Sequence, residues 1–239
     1  MGRGLAGIAG VAGIAGALAA GVVVTAGQGA PPAGNAPGVI VTIDRNVGSA
    51  ATPAFTFAHV AAPAKDDAAA QATVRLVDGE GDPNGAGVHA LVDGLLPHEE
   101  DEPGSNFFFN AGTTGGRVRL DLGEAIDVAE VRTYSWHPNT RGPQVYTLYA
   151  SDGTDPAFQT SPPNGVDPVS VGWRRMADVD TRTPGGDPGG QYGVSIHRTG
   201  GPLGHFRHLL FVCSATEMDD DWGNTFYSEI DVVRAGGGV

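Results

Sequence analysis

Apolar and polar positions along this chain alternate in short runs broken by turn formers. In "RVRLDL", Val118, Leu120 and Leu122 fall on one side and Arg117, Arg119 and Asp121 on the other, the two-residue period of a strand with one buried face. "FYSEIDVV" reads the same way, with Phe226, Ser228, Ile230 and Val232 set against Tyr227, Glu229, Asp231 and Val233. By contrast "LLFVC" is apolar on both faces, as a central, covered strand is. Strands are read at "VIVTIDR", "FTFAHV", "ATVRLVD", "NFFFN", "RVRLDL", "VAEVRTYSW", "VYTLYAS", "WRRMADVD", "YGVSIHR", "FRHLLFVCS" and "FYSEIDVV". They are rich in β-branched and aromatic residues, and Gly, Pro and Asn bound them. Beyond the first 30 residues no window sustains a long amphipathic 3.6-residue period. The pattern predicts an all-β chain, a sandwich or barrel of antiparallel strands. The longest turn-rich insert, Asp155 to Gly172, is expected to be a surface excursion, and no repeat of fixed period is present.

Composition strengthens the all-β expectation. With 38 Gly and 17 Pro among 239 residues, and only 17% charged, turns are favoured over helix interiors. The formal net charge is −13, from 14 Lys and Arg against 27 Asp and Glu. Such a surface repels phosphate backbones, so no nucleic-acid partner is expected. Cations or neutral polyhydroxylated ligands suit acidic loops better.

The first 30 residues stand apart. Arg3 precedes a charge-free run of Ala, Gly, Leu, Ile and Val, and Val24 and Ala26 occupy the positions a signal peptidase prefers. Residues 1–30 are therefore read as a signal peptide with its cleavage region. An uncleaved anchor is the alternative, because the run is long enough for a hydrocarbon core of about 30 Å. Export follows, to a secreted, cell-surface or periplasmic location, with no transmembrane helix in the mature chain. Residues 31–54 read as a linker, "PPAGNAPG", and an N-terminal strand; 55–235 as the β domain; 236–239 as a flexible tail. The single cysteine, Cys213, leaves no disulfide framework and reads as a small buried hydrophobe.

Four motifs in order carry a resemblance: "GGRVRLDLGEAIDVAEVRTYSW", "GPQVYTLYASDG", "GWRRMADVDT" and "NTFYSEIDVV". Together they resemble the discoidin-like, coagulation-factor 5/8 type C domain of the galactose-binding-like superfamily. They are also similar to a bacterial subgroup of exported proteins. The resemblance runs from about Thr56 to Arg234. It implies a jelly-roll β-sandwich of about eight antiparallel strands. It also implies a non-catalytic module that binds glycans, phospholipid head groups or proteins through loops at one end.

The resemblance also singles out residues. Glycan-binding relatives use an Arg and an Asn in the loop after the "DLG" strand, and here Asn139 and Arg141 fall there, after Trp136 and His137. Trp222, before the last strand, is expected at the same end and would stack on a pyranose face. The competing reading makes this loop a hydrogen-bonded corner and Trp136 a packed strand residue. Many relatives hold a structural Ca²⁺ between an Asp-Gly turn and a Glu on the last strand, positions matched by Asp93 and Glu229. Here Leu95-Leu96-Pro97 replaces the usual continuation of that turn. Alternatively Asp93 caps its own turn and Glu229 pairs with an Arg on an exposed face; both readings stay open. "DGEGDPNGAG" departs from a calcium loop at Pro83 and His89 and reads as a plain turn, while Trp173 reads as core. No Gly-x-Ser-x-Gly elbow or His-Glu-x-x-His helix is present, and His205 and His208 should point to opposite faces. The expectation is an exported, non-catalytic module that recognises carbohydrate and carries calcium as a structural ion. Its alternative is an adhesive or structural protein that binds other proteins.

Overall fold

In the computed structural model, residues 34–217 and 223–236 are described. The leader and Trp222 lie outside them. Eight strands follow in chain order: β1 (Val39–Asn46), β2 (Thr73–Asp78), β3 (Gly115–Pro138), β4 (Val145–Ser151), β5 (Arg174–Asp180), β6 (Gly189–Arg198), β7 (Gly204–Ser214) and β8 (Tyr227–Arg234). Every pairing among them is antiparallel.

β3 organises the sandwich. "RVRLDL" and "VAEVRTYSW", read as two strands, form one 24-residue strand whose pairing with β7 slips between Asp121 and Ile126. Its first half lies between β2 and β7, and its second half between β6 and β8. One layer is thus β2-β3-β7-β4-β5 and the other β1-β6-β3-β8. Val118, Leu120, Leu148, Leu209 and Phe211 from the first layer meet Val131, Val194, Ile196, Ile230 and Val232 from the second in one core. Burial of these side chains contributes roughly 1.5–3 kcal/mol each.

Both outer faces are also covered. Tyr134 and Trp136 of β3 pack with Phe55 and Val60, the rings meeting edge to face at 6.1 and 5.7 Å. "FTFAHV" is therefore a cover without ladder bonds and not a strand. Asp44 holds it down, accepting the backbone N–H groups of His59 and Val60. On the other layer Tyr149, Trp173 and Leu210 pack beneath Phe158 and Val171 of the excursion. Arg117 and Arg119 lie on that face as the alternation predicts, yet both are buried. Arg117 donates to the carbonyls of Pro162, Pro163 and Val166, and Arg119 to that of Thr160.

Two further corrections concern local pairing. "NFFFN" makes only an isolated bridge from each of Phe107 and Phe109. In "FYSEIDVV" an extra residue, Ser228, interrupts the pairing, since Tyr134 faces Glu229 and Ser135 faces Tyr227. The bulge flips the phase, so Tyr227 joins the main core beside Ile230.

Candidate functional site

The register places the ends of β2, β3 and β7 and the starts of β4 and β8 at one end of the sandwich. There the chain turns between β3 and β4 through residues 139–144. Asn139 takes a left-handed conformation (φ 66°), which Asn tolerates better than most residues, and it is exposed. Gly189 must be glycine, because a Cβ there would lie 2.2 Å from the Asn139 nitrogen. Every strut of the corner is satisfied. Ser135 Oγ donates to the Gly142 carbonyl at 2.6 Å, Thr216 Oγ1 to the Thr140 carbonyl at 2.6 Å, and the Phe226 N–H to the Arg141 carbonyl at 2.9 Å. Beneath it the fully buried Gln144 donates to Ser135 Oγ and to the carbonyls of Thr133 and Tyr192, and accepts from Thr133 Oγ1. The loop is therefore a rigid, hydrogen-bonded corner that presents Asn139 at its tip.

Among the described residues Arg141 is held by two kinds of contact. Its guanidinium carbon lies 4.1 Å from the Phe226 ring centroid and 5.0 Å from that of Phe108, a cation–π geometry. Its Nε donates to the Asn224 carbonyl at 3.2 Å. The two rings are stacked at 4.0 Å and 11°. His137 packs against Phe226 at 4.3 Å, and its Nδ1 donates to the Pro138 carbonyl. Burial holds the His137 pKa below its ordinary value and the Arg141 charge lowers it further, against the Pro138 carbonyl and Asp101. A neutral His137 is thus a wall of the site, supporting Phe226.

Of the sequence-derived set, the structure brings His137, Asn139 and Arg141 together and leaves Trp222 outside the described residues. Trp136 is packed in the outer cluster with Phe55, as the strand reading has it. Phe108, Phe226 and Asn224 were not singled out by sequence. The signal was present in "NFFFN", where alternation sends Phe107 and Phe109 to the core and Phe108 away from it.

Asp93 and Glu229 occupy a different place, on the covered outer side of β8. Glu229 is 1% exposed. Its Oε2 accepts the Gly94 N–H at 2.8 Å and its Oε1 that of Ile230 at 3.2 Å. It has no Arg partner among the described residues, so the exposed ion-pair reading fails. Burial pushes its carboxyl up to about 9; the charges of Asp231 and Asp93 add to this, while the two N–H groups oppose it. Asp231 is raised to about 7, by burial first and then by the Asp67 charge. Asp93 Oδ1 accepts the Leu95 N–H at 2.8 Å, capping its own turn. For Ca²⁺ the donor pair fits in kind. Among the described residues no group of three or more His, Cys, Asp or Glu side chains is placed to hold a metal ion. Further ligands would have to come from other oxygens, such as backbone carbonyls, amides, hydroxyls or water.

The remaining candidates are structural. Asp82 Oδ1 accepts from Asn84, making "DGEGDPNGAG" a plain turn. His205 is exposed beside Asp127, whereas His208 is buried against Phe158. Burial pushes the Cys213 thiol up to about 12. Among the described residues no helix is long and apolar enough to cross a membrane.

No protein-family model matches the chain, and no curated protein matches it. Solved structures similar to it include SpGH29, at 14% identity and a TM-score of 0.42, over 71% of this chain and 28% of that one. A family 32 carbohydrate-binding module of Clostridium perfringens NanJ, in complex with galactose, is 14% identical with a TM-score of 0.41, over 68% of this chain and 93% of the module. A fucolectin from striped bass (Morone saxatilis) serum is 14% identical with a TM-score of 0.43, over 70% of this chain and 48% of the lectin.

Proposed function

We propose that this chain is an exported, non-catalytic module that recognises carbohydrate through the corner between β3 and β4. The observation that carries this reading is the pairing of an exposed Asn139 with an Arg141 guanidinium fixed over Phe226 and Phe108. Sugar hydroxyls need donors and acceptors held at set positions, and a rigid corner supplies them with little ordering cost on binding. Phe108 and Phe226 are themselves buried, so they orient the guanidinium; Trp222, next to Gly223, is the residue proposed to stack on the sugar face. His137 contributes by holding Phe226. The same proposal keeps a structural Ca²⁺ at Asp93 and Glu229, where it would neutralise a buried carboxylate. The leader pattern of residues 1–30 supports export. The test is sugar competition: free sugar should displace the chain from an immobilised glycan, and Arg141→Ala or Trp222→Ala should abolish the displaceable binding.

One observation favours a second reading, a protein partner. Edge strand β1 leaves Ile40 and Ile43 exposed, and Val47 follows it into solvent, a surface open to strand addition. Retention by a surface protein that no sugar displaces, lost in Ile43→Lys, would favour it.

A further inference from the structure

The loop end carries a second concavity that the Asn139–Arg141 corner does not use. Between the end of β2, the start of β3 and the end of β7 opens a cleft of about 440 Å³, walled by Asp78, Gly112, Thr114, Gly116 and Asn164. Small-molecule sites occupy roughly 300–1,000 Å³. Gly116 in its wall has no room for a side chain: a Cβ there would lie 2.4 Å from both the Asp78 carbonyl oxygen and the Phe109 ring. Asn164 belongs to the excursion between β4 and β5, which Arg117 draws to this end by donating to Pro162 and Pro163 at 3.0 Å and to Val166 at 3.1 Å. The Arg117 guanidinium is thereby committed to neutral carbonyls, and the residue is buried, at 7% exposure.

Among the described residues, the side chains of Asp78, Thr114 and Asn164 accept and donate no hydrogen bond within the protein. They place a carboxylate acceptor, a hydroxyl and a carboxamide around one space. An anion would meet Asp78 with the nearby guanidinium already engaged. An apolar ligand would strip water from three polar groups and return nothing. A ligand bearing several hydroxyls satisfies all three, since each hydroxyl both donates and accepts.

We propose that this cleft is a second carbohydrate subsite, taking a neutral polyhydroxylated ring whose hydroxyls donate to Asp78 and pair with Thr114 and Asn164. It rests on the glycan reading above and extends it from one contact to two. The buried Asn224 braces both places: its side-chain amide donates to the backbone carbonyls of Asn110 and Thr113 at 3.1 and 3.2 Å, and its backbone carbonyl accepts from Arg141.

The test is a titration of the ¹⁵N-labelled full chain with galactose, fucose, glucose and lactose, followed by ¹H–¹⁵N NMR. At least one sugar should shift the amides of Gly112, Gly115 and Gly116. Asp78→Asn and Asn164→Ala should each weaken that response roughly tenfold without lowering the melting temperature. Shifts confined to Asn139–Arg141, or unchanged affinity in both cleft variants, overturn the cleft and leave the corner standing. Shifts confined to the cleft support the cleft and remove the corner. No response anywhere overturns both.

Discussion

Raising the pH should destabilise the chelated protein, and Glu229 should be the main reason. Its carboxyl is buried on β8, where it titrates near 9 in place of an ordinary 4.5. A carboxyl whose folded pKa is raised holds its proton more tightly in the folded state. Its contribution is fully present below the unfolded pKa and is lost as pH rises through the folded one. Within that window each pH unit costs about 1.4 kcal/mol, so the step from pH 6 to pH 8 should remove about 3 kcal/mol. Asp231, raised to about 7, steepens the lower half of the window. Glu229→Gln removes the titration. At pH 5 the variant should be about 1 kcal/mol less stable, because an amide nitrogen cannot accept the Ile230 N–H. At pH 8 it should be the more stable protein by about 3 kcal/mol. Guanidinium unfolding of both proteins in EDTA, at half-unit pH steps and followed by circular dichroism, reads this directly. The two stability curves should cross; parallel curves would refute the placement of Glu229. A Ca²⁺ ion at Asp93 and Glu229 would take the proton's place, so calcium should stabilise the wild type more at pH 8 than at pH 5.

Other perturbations test the corner, the excursion and the core. Gly189→Ala combines φ +75° with a Cβ 2.2 Å from Asn139 N, whereas Gly200→Ala has φ +79° and open space. The first should cost about 2 kcal/mol more than the second in thermal melts; equal costs would mean the corner yields freely. Arg117→Met removes three carbonyl contacts and should cost about 3 kcal/mol, making residues 155–172 the first site of limited proteolysis. An unchanged cleavage map would show that the arginine does not latch the excursion. Cys213, its thiol pushed up to about 12, should resist thiol reagents at neutral pH until the chain unfolds; labelling of native protein would contradict its burial.

Much of the fold was legible because one-sided burial writes itself as alternation. β2, β4, β5, β6 and β7 fall where their runs of β-branched and aromatic residues predict. Three features were not legible, each for a physical reason. "FTFAHV" has strand composition because Phe55 and Phe57 cover Tyr134 and Trp136, and covering a sheet needs the same residues as joining one. The inversion at Tyr227 comes from a single bulged residue, Ser228, which leaves no mark on composition. Arg117 and Arg119 lie on the predicted face, but only the folded excursion makes that face an interior. For the site, sequence supplied the Asn139 and Arg141 tip and His137. It missed Phe108, Phe226 and Asn224, because what fixes a guanidinium is assembled from two segments distant from it in the chain.

The most direct measurement is a glycan-array screen of the folded full chain beside Arg141→Ala and Asn139→Ala, in calcium and again after chelation. Selective binding by the wild type, lost in both variants while their circular dichroism spectra show them folded, is the predicted result. Calcium dependence would further support the Asp93–Glu229 ion. A blank array from folded protein, or binding that both variants retain, would contradict recognition at the corner.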